Sequence, residues 1–253
     1  MKPLIFCGYQ NTGKTAFIEK AVKALRKKGY SVSTIKHAPT SYETEPRCTD
    51  SRKLLAAGSS CTALLTGNQN IFFRSLEMKD QESARTRLNS VFKEFTTDFT
   101  LIEGFKSYDG PVPRVVFGNS KEEVEELIDD LTVGYTGILI RELNIKNPPY
   151  IPFSADENVV RSFIERNTFN FLPDINCREC GFSSCRGLAK KILEGSKTAS
   201  ECTRIKGEVQ LFIDDREITI KNFVRDALKG VVKGFVQNLR GYRRGELKVI
   251  IRS

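Results

Sequence analysis

Residues 8–15 read Gly-Tyr-Gln-Asn-Thr-Gly-Lys-Thr, a G-x-x-x-x-G-K-T string set between the apolar run Leu4-Ile5-Phe6-Cys7 and a helix-like stretch from Ala16 to Lys28. Strand, glycine loop and helix in that order form the pattern of a nucleotide phosphate-binding loop, or P-loop. Gly8 and Gly13 let the backbone wrap a chain of phosphates with no Cβ in the way. Successive N–H groups at Asn11, Thr12 and Gly13, with the N-terminus of the following helix, offer partial positive charge to the anion. Lys14 is expected to reach the β- and γ-phosphates, and the Thr15 hydroxyl to ligate Mg2+.

A second set of chemically competent residues lies far down the chain. Cys177, Cys180, Cys185 and Cys202 follow the spacing C-x2-C-x4-C-x16-C. Four thiolates can close one 4Fe–4S cubane or one tetrahedral zinc site. Three ligands within nine residues, with Gly181 supplying the turn, can wrap one face of a cluster, and the fourth returns after a helix. Structural zinc ordinarily uses two short C-x-x-C knuckles and this segment has one, which favours iron–sulfur over zinc. A dithiol redox site would need an isolated C-x-x-C. Cys7, Cys48 and Cys61 lack ligand spacing, and Cys7, inside the first strand, is expected to be a small buried apolar residue.

These groups need a scaffold, and the first two-thirds of the chain alternate strand and helix patterns. Strands are expected at 2–8, 30–37, 60–65, 71–76, 98–102, 114–117 and 136–140. Helices are expected at 15–28, from Thr49 or Asp50 to Ala57, and at 81–95, 121–130 and 157–165, with Gly29 and Gly58 as stops. Repeated β-α-β units imply an α/β fold with a mostly parallel sheet covered on both faces. Residues 1–168 form the nucleotide domain in this reading. Residues 166–175 read as a linker, 174–205 as the cysteine module and 206–253 as a small basic α+β tail. That tail carries strands at 209–213, 217–220 and 247–251. Its helix, 222–239, is amphipathic through Phe223, Ala227, Leu228, Val231, Phe235 and Leu239.

In P-loop folds the ligand lies beyond the carboxyl ends of the strands. Lys36 and His37 end the second strand, and His37, the sole histidine, is expected to position a ligand rather than bind a metal. Glu103, at the end of another strand, is where an acid orienting Mg2+ or water belongs. Gly104 beside it allows close backbone approach. Asp50 is either a helix cap or a second acid on the Mg2+ side. No Asn-Lys-x-Asp guanine-reading string occurs, so the residues alone leave GTP and ATP open.

Composition narrows the function classes. The chain has 253 residues, 40% of them hydrophobic, enough for a substantial core. It contains no apolar run of roughly 18 residues, so no membrane helix is expected. Met1-Lys2-Pro3 leads directly into a strand, leaving no room for a signal peptide, and a cytoplasmic protein is expected. Seven cysteines, an odd number with four at ligand spacing, fit reduced thiols and a metal centre. The net charge is +9, and residues 203–253 hold 12 Lys/Arg against 6 Asp/Glu. The tail shows no aromatic interleaving of the kind single-strand binding needs, so a nucleic-acid partner is not expected.

Taken together, Gly8–Thr15, Ile35-Lys36-His37, Thr49-Asp50-Ser51-Arg52 with Ala56-Ala57-Gly58, and Leu101-Ile102-Glu103-Gly104-Phe105-Lys106 resemble the MobB family. The resemblance covers roughly residues 1–165. It implies a GTP-binding protein with weak GTPase activity, often a homodimer. Such a protein assists the guanylyltransferase that makes molybdopterin guanine dinucleotide, the molybdenum or tungsten cofactor form. By position it implies Lys14 and Thr15 as phosphate and Mg2+ contacts, with Asp50 and Glu103 as acidic partners. The loop after Lys-His departs from the family's His- and Asp-rich pattern, reading Ala38-Pro39-Thr40-Ser41-Tyr42-Glu43. The appended residues 176–189 with Cys202 are similar to 4Fe–4S modules of corrinoid iron–sulfur proteins and Rnf-type electron-transfer subunits. The combined reading is a GTP-binding accessory protein carrying a 4Fe–4S cluster. Its partners would be the guanylyltransferase or molybdopterin-binding proteins. The alternative is a nucleotide-gated iron–sulfur electron carrier or metalloenzyme maturation factor.

Overall fold

Strand β1 (Lys2–Gly8) is almost wholly apolar because both of its faces are buried. Leu4 and Phe6 enter one core and Ile5 and Cys7 the other, the period-two alternation of a strand serving two layers. The computed structural model describes residues 1–37, 50–65, 67–74, 84–92, 94–143, 145, 147–205, 211–213, 216–218 and 222–239.

After β1 come α1 (Lys14–Lys27), β2 (Val32–Lys36), α2 (Asp50–Ala56), β3 (Cys61–Leu65), β4 (Asn70–Arg74), α3 (Ala84–Phe92), β5 (Phe99–Glu103), β6 (Arg114–Phe117), α4 (Lys121–Leu127) and β7 (Thr132–Thr136). The chain continues through α5 (Glu157–Arg166), α6 (Cys185–Leu193), β8 (Leu211–Ile213), β9 (Arg216–Ile218) and α7 (Asn222–Val236). Five strands form one parallel sheet in the order β2-β5-β1-β6-β7, so the expected α/β fold holds and β1 lies at its centre. Helices α1 and α5 cover one face through Phe17, Leu25, Val160 and Phe163. Helices α3 and α4 cover the other through Leu88, Phe92 and Val124.

Several expectations need correction. The two strands expected between 60 and 76 exist as β3 and β4, but they pair antiparallel with each other in a separate two-stranded sheet. Their four-residue connection, 66–69, is too short for the crossover that parallel neighbours require. The strand expected at 136–140 instead ends at Thr136. Beyond it the chain leaves the sheet, and the apolar Ile138 and Leu139 are 53% and 73% exposed. The true strand was masked by Gly134, over which Ile151 and Phe163 pack so closely that a Cβ there would lie 2.5 Å from Ile151 Cδ1.

The linker expected at 166–175 is packed. Leu172 is fully buried, and Thr168, Phe169 and Asp174 are also buried. Phe171 N–H donates to the Met1 carbonyl at 3.1 Å. Leu172 and Phe169 join Leu131, Cys185, Leu188 and Cys202 in a third core, which ties the cysteine-bearing segment to the chain just before β7. In the tail, β8 and β9 form a short antiparallel pair. Of the expected apolar face of α7 and its extension, Val231, Phe235 and Leu239 are exposed. The strand expected at 247–251 lies outside the described residues, as do Cys48 and residues 38–43. Among the described residues no helix is long and apolar enough to cross a membrane.

Candidate functional site

The loop 8–15 leaves the carboxyl end of the central strand. Gly8 passes so close to β6 that a Cβ would lie 2.1 Å from the Phe117 carbonyl oxygen, so only glycine fits. Asn11 and Gly13 are left-handed, with φ of 58° and 90°. Alternating backbone handedness of this kind turns consecutive N–H groups toward one side. Gly13 is the N-cap of α1 and supplies no side-chain acceptor, which leaves the donors of the first turn open. Thr12 is buried, and its hydroxyl donates to the Tyr9 carbonyl at 2.9 Å, closing the loop. Lys14 Nζ donates to the same carbonyl and to Thr12 Oγ1. Burial lowers the Lys14 pKa, and the charge of Glu103 works against that.

Parallel pairing brings distant residues to this loop. In the register β2-β5-β1, Lys36 stands opposite Glu103 and Glu103 opposite Phe6. Thr15 Oγ1 donates to both Glu103 carboxylate oxygens, at 3.1 and 3.0 Å, and Lys36 Nζ is 3.5 Å from Glu103 Oε1. A hydroxyl and a carboxylate at this distance, beside a lysine and open N–H groups, suit a phosphate-bound divalent cation. A cavity of about 370 Å³ runs along α1 and β2, lined in part by Thr15, Ile18, Val22, Lys36 and Glu103.

His37 is held differently. Its N–H donates to the Glu103 carbonyl at 2.9 Å, and its ring stacks on Phe105 at 4.3 Å between centroids. Gly104, with φ of 101°, passes beneath it, where a Cβ would lie 3.1 Å from His37 Cβ. Burial and the charge of Arg87 lower the His37 pKa. Asp50 is not brought to this centre. Its side chain is 93% exposed and pairs with Lys53 at 3.2 Å, and no described contact joins it to Thr15 or Glu103.

Lys106, Tyr9 and Glu126 make further contacts beside the loop, and Asn119, which sequence reasoning passed over, follows the neighbouring strand. Lys106 Nζ sits 3.4 Å from the Tyr9 ring centroid, and the Tyr9 hydroxyl donates to Glu126 of α4 at 2.5 Å. Asn119 lies two residues beyond β6, whose last residue, Phe117, pairs with Gly8. Its Oδ1 is buried without a hydrogen-bond partner among the described residues. The available signal was Gly118-Asn119 directly after an apolar strand, a strand end on the ligand side of the sheet.

The four downstream cysteines sit on a loop, a helix start and a turn. Left-handed residues recur at Asp174, Asn176, Arg178 and Gly181 around Cys177 and Cys180. Cys185 opens α6, whose N-cap Ser184 accepts from Gly187 N–H at 3.0 Å. Asn176 Oδ1 accepts the Cys185 N–H at 2.7 Å. Cys202 ends the short turn at 199–201. Cys185 and Cys202 are buried, with Cys180 packed against the same core and Cys177 half-buried. Burial raises the Cys185 and Cys202 thiols. Charge on Cys177 raises Cys185 further, and charge on Cys185 and Cys180 raises Cys202. A bound metal centre removes that mutual repulsion by holding them as thiolates. Among the described residues no three His, Cys, Asp or Glu side chains are placed to hold a single ion. Cys7 stays apart, donating weakly to the Val115 carbonyl at 3.8 Å, and burial pushes its pKa up to about 11. Cys61 is exposed.

Residues 4–132, half of the chain, match the family described as molybdopterin guanine dinucleotide synthesis protein B, MobB. The chain belongs to the MobB family. Residues 172–204 match a second family, described as "Putative Fe-S cluster". A Methanocaldococcus jannaschii protein named "Putative molybdopterin-guanine dinucleotide biosynthesis adapter protein" is 27% identical over 95% of this chain and 93% of its own length. A Bacillus subtilis protein named "Probable molybdopterin-guanine dinucleotide biosynthesis adapter protein" is 34% identical, over 62% of this chain and 87% of its own length. The crystal structure of Bacillus subtilis MobB aligns with 68% of this chain and all of that one, at 25% identity and a TM-score of 0.48. The MobB match spans the phosphate loop, Lys36 and Glu103, and the iron–sulfur match spans all four ligand-spaced cysteines.

Proposed function

We propose that this MobB-family chain is a GTP-binding adapter in molybdopterin guanine dinucleotide biosynthesis that carries a 4Fe–4S cluster. Residues 1–168 are the nucleotide-binding unit, 174–205 the cluster module and 206–253 an accessory tail. The protein works in the cytoplasm with the guanylyltransferase or a molybdopterin-binding protein. The observation that carries the nucleotide reading is the contact of Thr15 with Glu103 at 3.0 Å beside Lys14, three residue types that together answer a phosphate-bound Mg2+. Family membership and the adapter names of the relatives support the pathway.

In this reading the open N–H groups of the loop and Lys14 bind the phosphates. Thr15 and Glu103 hold Mg2+ and orient water, and Lys36 offsets the charge of Glu103. Cys177, Cys180, Cys185 and Cys202 hold the cluster, which when bound supplies a one-electron centre or a rigid structural knot. Anaerobic purification, assay of iron and acid-labile sulfide, and calorimetry with GTP and ATP in Mg2+ test the reading. About four irons and four sulfides per chain, with GTP bound more tightly than ATP, is the expected result. One zinc without sulfide would overturn the cluster, and absence of nucleotide binding would overturn the loop assignment.

A further inference from the structure

The segment directly after Glu103 is gripped from two sides by residues flanking the cluster ligands. On one side Arg186, next to Cys185, donates to the Asp109 carbonyl at 3.1 Å and the Gly110 carbonyl at 3.4 Å. The same guanidinium pairs with Asp130, and with Asp129 at 2.9 Å. Asp129 in turn lies 3.2 Å from Arg114, a buried residue of β6 whose guanidinium donates to the Tyr108 and Lys106 carbonyls. On the other side Asp174, three residues before Cys177, has a fully buried carboxylate that accepts from Arg85 and Asn89 of α3. Arg85 also faces Asp109 at 3.6 Å, and the Tyr108 hydroxyl donates to Asn89 at 3.4 Å. The packing is close: a Cβ at Gly110 would lie 2.3 Å from the Tyr108 hydroxyl and 2.8 Å from Asp174.

The far end of this segment belongs to the phosphate loop. Glu103 accepts from Thr15, and Lys106 lies over Tyr9. Between those two residues Gly104 and Phe105 are both left-handed, with φ of 101° and 53°. A short run of such residues can absorb a change of path without disturbing the strand before it. Buried charges, by contrast, cannot give up their partners freely. The module end of the segment is therefore pinned, and the nucleotide end carries the freedom.

We propose that the cysteine module sets the position of residues 104–110, and through Lys106 and Glu103 the shape of the phosphate loop, so that cluster loading and nucleotide binding are linked. The link rests on the nucleotide and cluster reading above. The route runs Cys185 to Arg186, Arg186 to Asp129 and Arg114, and from there to the backbone of 106–110. Because linkage is reciprocal, nucleotide binding must alter the cysteine module by the same factor.

Hydrogen exchange of the full chain tests this without nucleotide. Exchange over residues 103–110 is compared between cluster-loaded protein, held anaerobically, and protein stripped by an iron chelator. Loading is expected to slow exchange there about fivefold or more. Arg186→Ala is expected to abolish that difference while keeping the iron and sulfide content. Arg186→Lys, which keeps the charge facing Asp129 and Asp130, should restore part of it, and this separates a lost link from a lost fold. In the same samples the dissociation constant of a non-hydrolysable GTP analogue should differ about fivefold between loaded and stripped wild type, and hardly at all in Arg186→Ala. Equal exchange in loaded and stripped wild type, or a difference that survives Arg186→Ala, would overturn the proposal. An intact exchange difference with no nucleotide binding in any sample supports the link between module and segment and overturns the nucleotide reading instead.

Discussion

The loop at 8–15 and the loop at 174–185 both carry left-handed residues at alternate positions and both run on into a helix: Asn11 and Gly13 before α1, Asn176 and Arg178 before α6. They differ in where the N–H groups go. Ahead of α1 the cap is a glycine, and no side chain meets the first-turn donors. Ahead of α6, Ser184 takes the Gly187 N–H and Asn176 takes that of Cys185. The first loop thus leaves its backbone donors for an anion, while the second uses them to fix the backbone from which thiols project. A loop that recognises by main chain needs glycine and empty space; a loop that recognises by side chain needs its main chain satisfied.

The largest expected effect comes from breaking the side-chain-built site. Serine in place of any one of Cys177, Cys180, Cys185 or Cys202 should eliminate the intact four-iron cluster, leaving an unstable or three-iron form. Iron and sulfide assays and the broad absorption of such clusters, near roughly 400 nm, check this. A full cluster in Cys202→Ser would show that the ligand set is wrong.

In the backbone-built site the side chains matter by degree. Glu103→Gln should slow single-turnover GTP hydrolysis roughly a hundredfold while changing nucleotide affinity much less, because its charge acts mainly on the transition state. Equal losses in rate and affinity would make Glu103 structural. Lys14→Ala removes one charge-assisted contact of about 1.5–3 kcal/mol, so calorimetry should show binding weakened roughly ten- to a hundredfold with the circular dichroism unchanged.

A smaller change sharpens the contrast in capping. Ser184→Ala should cost about 1 kcal/mol of stability in denaturant unfolding, since the Gly187 N–H then loses its acceptor. No change would mean that Asn176 alone fixes that turn. The smallest effect concerns His37. Burial and Arg87 favour its neutral form, so the folded chain binds fewer protons there than the unfolded chain. Its contribution to stability is therefore complete above its ordinary pKa of about 6.5 and is lost as the pH falls through the lower folded value. As the only histidine, it gives one unambiguous pair of ring C–H resonances in NMR, whose titration midpoint should lie below the ordinary value.

Much of the sheet was legible because strand and helix periodicities are local. β1 and β6 fall where the apolar runs at 2–8 and 114–117 place them. Where reading failed, apolarity and structure had separated. Ile138-Leu139-Ile140 read as a strand but leaves the sheet, while Gly134, with Ile151 packed closely over it, weakened the signal of the true one. Residues 166–175 read as a linker because Asn, Thr, Pro and Asp dominate them, yet Phe169 and Leu172 bury deeply. Asp174 escapes the usual penalty for a buried carboxylate only because Arg85 and Asn89, nearly ninety residues earlier, are waiting for it.

The chain's own order of residues already determined the phosphate loop and the spacing of four cysteines, because both depend on neighbours a few positions apart and on residue types with narrow chemistry. Tertiary structure alone decided that Glu103 meets Thr15, that Asp50 stays out in solvent with Lys53, and that Arg186 reaches Asp129 and the carbonyls of Asp109 and Gly110. Those meetings depend on strand register and on which layer covers which face. Both are set by packing across the whole sheet, and no stretch of sequence short enough to read locally contains that information.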